Sequence, residues 1–227
     1  MKLVLAAMLA MAPFGTAIAQ ESPAEIARNE RLGAIIALVQ NGQPQMAIDK
    51  LNPLIVEYQA LYPGDKQKLC KVEDYETAAY ATLPGGKNAV LVEGGWCIAL
   101  WAKGFAMIDL KQLDGSVLFL ERAVTMAPLH PHYLSELGYA YQAQKQWQKS
   151  YDLYARAADA AKREGGERQK KSLRRAWFGM AYDLVELGRL DEAEAVYRKC
   201  LELTPDDKQV KDELQYVIEQ RAKKKAS

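Results

Sequence analysis

The sequence predicts an all-α protein, a solenoid of stacked antiparallel helix pairs interrupted by an irregular insert near residues 65–95. Three observations predict it. The segment Leu134-x-x-Leu137-Gly138-x-x-Tyr141, followed by Ser150-x-x-x-Tyr154, recurs upstream as Leu100, Gly104, Met107, Ser116, Leu120 and Pro128. It recurs downstream as Trp177, Met180, Ala181, Leu184, Ala193, Tyr197 and Pro205. Second, the first two units are in step at 34 residues, from Gly104 to Gly138, and the next step is 43, from Gly138 to Ala181, the surplus falling to a longer helix and the Gly165-Gly166 turn. Third, apolar residues between these marks recur every three or four positions, the period of a helix with one buried face. One helix pair cannot bury its own apolar face, whereas stacked pairs share a continuous core.

Each element follows from local signals. Residues 1–19 have the composition of an export leader: Lys2, an apolar run from Leu3 to Ala12, breakers at Pro13 and Gly15, and Ala17-Ile18-Ala19 before a cleavage point at Gln20. The run is about half the roughly 20 residues that span a bilayer, so no permanent anchor is expected. Residues 20–64 read as a degenerate helix pair. Ile26, Leu32, Ile35, Ile36, Leu38 and Val39 mark the first helix, which Asn41-Gly42 stops, and Met46 to Tyr58 mark the second, which Pro63-Gly64 stops. Ile35 stands where the recurrent small residue belongs.

Residues 65–95 break the register, with a short helix expected from Glu73 to Leu83 and an extended run from Ala89 to Val92. The insert is either a degenerate repeat or a decoration on the solenoid. Three regular pairs fill 96–205, with helices expected at Trp96–Lys111, Gly115–Ala127, Pro131–Lys145, Trp147–Arg163, Glu167–Leu187 and Asp191–Leu203. Residues 206–227 form a charged capping helix and basic tail.

Charge excludes some functions. Lys and Arg total 30 and Asp and Glu 29; Lys2 is the only charged leader residue, so its removal takes the net charge from +1 to zero. Nucleic acid is not an expected partner, because such binding needs a strong basic excess. Of three cysteines, Cys200 falls where two helices cross and reads as a buried thiol. Cys70 and Cys97 flank the insert, and a disulfide between them is expected, with two free thiols as the alternative.

Leu137-Gly138, Tyr141, Tyr154, Trp177, Ala193, Tyr197 and Pro205 together resemble the tetratricopeptide repeat. The resemblance covers residues 97–205 well and 26–62 weakly, and leaves out the insert. It implies a right-handed superhelix whose first helices line a concave face. Projected onto this chain, that face displays Trp101, Ser135 and Phe178, and four residues further Phe105, Tyr139 and Tyr182. His132 and Arg175 precede them by one turn, and Gln142 and Glu186 follow. An aromatic groove of this kind suits an apolar peptide segment or a partner helix. Binding of a chaperone C-terminal carboxylate is not implied, because that use requires lysine and asparagine where this chain has rings.

No catalytic or cofactor chemistry is expected. His130 and His132 bracket Pro131 at a helix start, without cysteine or carboxylate ligands in a metal spacing, and read as turn and cap residues. Pro84-Gly85-Gly86-Lys87 lacks the first glycine and following hydroxyl of a phosphate loop, and no Gly-x-Ser-x-Gly elbow occurs. The expected function is non-enzymatic: a scaffold or adaptor of the bacterial cell envelope, periplasmic or secreted, holding another envelope protein. The alternative is a periplasmic immunity protein that neutralises one toxin.

Overall fold

The computed structural model describes residues 22–226; the expected leader at 1–19 and its cleavage point lie outside them. The described chain is helical except at the insert. In order it runs α1 (Pro23–Gln40), α2 (Pro44–Leu61), β1 (Lys68–Lys71), α3 (Asp74–Tyr80), a 3-10 turn (Gly86–Asn88), β2 (Val90–Glu93), α4 (Gly94–Asp109) and α5 (Leu113–Met126). Then follow α6 (Pro131–Ala143), α7 (Trp147–Ala161), α8 (Gly166–Glu186), α9 (Leu190–Leu203) and α10 (Lys208–Ala226). Each helix packs on its successor in the series α4 to α10, and α1 pairs with α2. The all-α solenoid expected from the sequence is therefore observed.

The first helix of every pair ends the same way. Gly42, Lys111, Lys145 and Gly188 adopt left-handed φ values of 69°, 59°, 59° and 73°, each two residues beyond its helix. The next amide then donates back to a carbonyl five residues earlier: Gln43 to Leu38, Gln112 to Met107, Gln146 to Tyr141 and Arg189 to Leu184, at 2.8 to 2.9 Å. This bond closes a helix end by satisfying an orphan carbonyl. The same closure recurs at the end of α1, in the N-terminal pair.

The recurrent small residues stand at close helix crossings. A Cβ on Gly104 would come within 2.6 Å of Leu120 Cγ, and one on Gly138 within 3.1 Å of the Tyr154 ring. The same ring presses on Gly179 of the next pair, where a Cβ would come to 2.4 Å. Tyr154 thus fills the space between α6 and α8, and three backbones approach closely because two positions are glycine. One apolar core runs from Leu32 in α1 to Ala176 in α8, and a second, holding Tyr197, Cys200 and Val210, joins α8, α9 and α10.

The insert is a decoration rather than a repeat. β1 and β2 form a two-stranded parallel sheet with Cys70 opposite Val92, and α3 lies in the crossover. Parallel strands need such a crossover because a tight hairpin cannot join them. The short helix and the extended run occur as expected, trimmed to 74–80 and shifted to 90–93; β1 was not expected. Helix α2 packs directly on α4, so the stack continues beneath the insert. The Cys70–Cys97 disulfide ties β1 to α4, and Cys200 is free and buried.

Candidate binding groove

The first helices α1, α4, α6 and α8 share a cleft of about 510 Å³. Its apolar walls are Ile36 and Val39 from α1 with Trp101 and Phe105 from α4; Gln40 joins them, and His132, Glu136 and Arg175 close the other side. The rings are ordered by contact. Trp101 lies 6.2 Å from Tyr133, stacked, 5.1 Å from His132 and 5.9 Å from Phe105.

The polar side of the cleft is an ion pair and a hydrogen bond that join two helix pairs. Arg175 Nη2 donates to Glu136 Oε1 at 2.6 Å, and Nη1 lies 3.2 Å from His132 Nδ1. Burial and the adjacent guanidinium push His132 down to about 4, so at neutral pH the ring is uncharged and its Nδ1 accepts from Arg175. Glu136 is 2% exposed, and burial raises its carboxyl above the ordinary range although Arg175 opposes the shift. Its Oε2 and the Trp101 Nε1–H are both buried without a hydrogen-bond partner among the described residues.

Two further clefts adjoin this one. One, of about 660 Å³, shares Ile36 with it and lies between α1, the start of α4 and the insert, whose Lys71, Val72 and Asp74 form a wall. The other, of about 600 Å³, shares Arg175 and is bordered by Lys170, Lys171 and Arg174 of α8 with Asp207. Arg174 is held by Asp207 at 2.8 Å.

The expected aromatic ladder divides. Trp101, Phe105, His132 and Arg175 meet in the central cleft, whereas the other expected groove residues do not line it. Phe178 lies edge-on to Tyr197, 5.8 Å away, under the Arg174 guanidinium. Tyr182 leans on Trp147 at 6.2 Å, and Tyr139 is 46% exposed on α6. Gln142 donates to Asp183 at 2.9 Å; Asp183 is fully buried and pushed up to about 6 by that burial, so it needs the donor. Glu186 is exposed at the end of α8. His130 caps α6, accepting from the Tyr133 amide at 3.4 Å, and stacks on the Tyr133 ring.

Glu136 and the α1 wall were not among the expected groove residues. A signal for α1 existed: counting from Ile35 as the equivalent of Gly104 makes Ile36 the counterpart of Phe105. Nothing in the sequence marked Glu136, which reads as an ordinary solvated helix acid. Among the described residues no three His, Cys, Asp or Glu side chains gather as a metal-ligand set, and no helix is long and apolar enough to cross a membrane.

The tetratricopeptide repeat family profile matches residues 131–206. No curated protein matches the chain. Among solved structures, the MamA RS-1 ArsTM double mutant is similar at 12% identity and a TM-score of 0.59, over 86% of this chain and 85% of that one. MamA MSR-1 C2 is similar at 18% identity and 0.56, over 87% and 88%. The Sgt2 TPR domain from Aspergillus fumigatus is similar at 20% identity and 0.50, over 58% and 82%. At these identities the likeness is one of fold.

Proposed function

We propose that the protein, whose residues 131–206 match the tetratricopeptide repeat profile, is a non-enzymatic interaction module of the bacterial cell envelope that holds a polypeptide in the groove of its first helices. The observation that carries this reading is the central cleft, where Trp101 and Phe105 offer apolar ring surface beside a fixed Arg175–Glu136 pair. Aromatic anchors with few rotamers contribute contact area at low entropic cost, and a neighbouring ion pair sets orientation. Export is supported by the leader composition of residues 1–19 and by the Cys70–Cys97 bridge, a bond that persists in oxidising compartments.

The test is capture from envelope extract by the wild type and by the Trp101→Ala, Phe105→Ala double variant, with helix content measured in parallel. The double variant is expected to keep its helical spectrum and lose its captured proteins. Undiminished capture by the folded double variant contradicts the groove. A single stoichiometric toxin among the captured proteins would favour the role of a dedicated inhibitor over that of a scaffold.

A further inference from the structure

The insert is attached to the stack by titratable side chains. The backbone of α3 packs chiefly on β1, and Tyr80 Oη fastens it there by donating to the Cys70 carbonyl at 2.9 Å. Toward α6 and α8 the attachment is charged or hydroxylated. Arg168 of α8 pairs with Glu73 at the start of α3 and, at 3.1 Å, with Glu164 in the α7–α8 turn. Tyr75 of α3 donates to the same Glu164 at 3.4 Å. Glu76, on the same helix, is fully buried and within electrostatic reach of Glu73, Glu164, Arg168 and Tyr133. One guanidinium thus serves three carboxyls, and the one it does not pair with is the most buried.

The surroundings do not provide for an ionised Glu76. Tyr80 has one hydroxyl proton and two acceptors in reach, the Cys70 carbonyl at 2.9 Å and Glu76 Oε2 at 3.4 Å, and the shorter bond takes the larger share. Glu76 Oε1 has no partner among the described residues. A buried carboxylate so poorly solvated costs far more than the neutral acid. The other facing groups cannot offset it. His130, stacked on Tyr133, is held down to about 3 by burial and is uncharged at neutral pH. Burial pushes the Tyr75, Tyr80 and Tyr133 hydroxyls up, so they stay neutral. On β1, Lys68 donates to the Gly64 and Lys66 carbonyls, and Lys71 is exposed at the adjoining cleft. Arg168 is 52% exposed, which weakens its ion pairs, so the burial of Glu76 decides the balance.

We propose that the insert is a proton-controlled latch: α3 stays docked on the stack while the Glu76 carboxyl keeps its proton and undocks when the proton leaves. The Cys70–Cys97 disulfide retains β1 on α4 in both states. Asp74 opens α3 and shares with Lys71 and Val72 the wall of the 660 Å³ cleft, so undocking widens that cleft. The latch operates whatever the groove binds. Burial, followed by the Glu73 carboxylate, raises Glu76 to about 8, whereas the ordinary value is 4.5. Docking is therefore strongest below 4.5, weakens by up to about tenfold per pH unit as pH rises toward 8, and is constant above.

Hydrogen exchange read by mass spectrometry from pH 5 to 9 tests this, each rate being divided by that of Glu76→Gln at the same pH to remove the intrinsic pH dependence. For residues 74–80 the ratio is expected to rise at least about tenfold between pH 5 and 8 and then level off. The ratio for α6 to α9 is expected to stay constant. Arg168→Gln, which removes the ion pairs and leaves Glu76, is expected to speed exchange of residues 74–80 at pH 6 and to keep the pH response. Loss of that response in Arg168→Gln would move the switch from Glu76 to the ion pairs and overturn the inference. A flat ratio for residues 74–80 overturns the latch. An equal rise in α6 to α9 also overturns it, because Glu76 then governs the whole fold and not α3. Should Glu76→Gln not fold, the wild-type rate of residues 74–80 relative to α6 to α9 serves instead, and a constant value across the pH range overturns the latch.

Discussion

Glu76 shows what a single buried acid does to this protein. It is fully buried in α3, accepts from the Tyr80 hydroxyl at 3.4 Å through Oε2, and leaves Oε1 without a partner among the described residues. Burial, and then the nearby Glu73 carboxylate, raise it to about 8; Tyr80 and Arg168 pull the other way. The native state therefore holds a proton that the unfolded chain releases near pH 4.5. Stability from this group is intact below that value and declines as pH rises toward 8, by an amount on the order of a few kcal/mol. Glu76→Gln mimics the neutral acid, so its melting temperature should match the wild type near pH 5 and exceed it by several degrees at pH 9. Thermal unfolding across that range checks this, and parallel curves for the two proteins contradict a buried neutral Glu76. Residues of this kind were hidden in the sequence. Gly138 was visible because a helix pattern tolerates glycine poorly without a packing reason, but Glu136 and Asp183 read as solvated helix acids, since burial depends on neighbours more than thirty residues away.

Among the elements, the helix pairs were legible and the insert was not. Repetition marks α4 to α9 several times over, at steps of 34 and 43 residues. β1 has no such support, because Lys68-Leu69-Cys70-Lys71 is too short to show a period and its partner β2 begins 22 positions later. The pairing becomes visible only through the disulfide, which joins Cys70 beside Lys71 to Cys97 beside Ile98 and so fastens the insert wall to the α4 floor. The far side of the insert is held by Arg168, which pairs with Glu73 and Glu164. Closing this loop limits the unfolded chain by about 3–4 kcal/mol in the chain-entropy model. The Cys70→Ala, Cys97→Ala variant is expected to lose stability on that scale in denaturant titration. Hydrogen exchange should accelerate in residues 65–95 before it does in α6 to α9. Uniform acceleration along the chain would show that the bridge supports the stack and not the insert.

At the scale of the molecule, four first helices in register make a continuous hollow, and the insert turns one margin of it into a wall. The concave face was implied by the repeat; its depth and the residues at its centre were not, because packing on second helices drew Phe178 to Tyr197 of α9 and Tyr182 to Trp147 of α7. The proposed function then depends on one spatial claim, that a guest polypeptide lies against the first helices and not the second. The most direct measurement is photo-cross-linking in envelope extract, with a photoreactive phenylalanine analogue placed at Phe105 in the central cleft or at Leu118, which is 56% exposed on the second helix α5. Strong cross-linking from position 105 and none from position 118 is the expected result. Cross-linking from 118 with none from 105 would contradict the account.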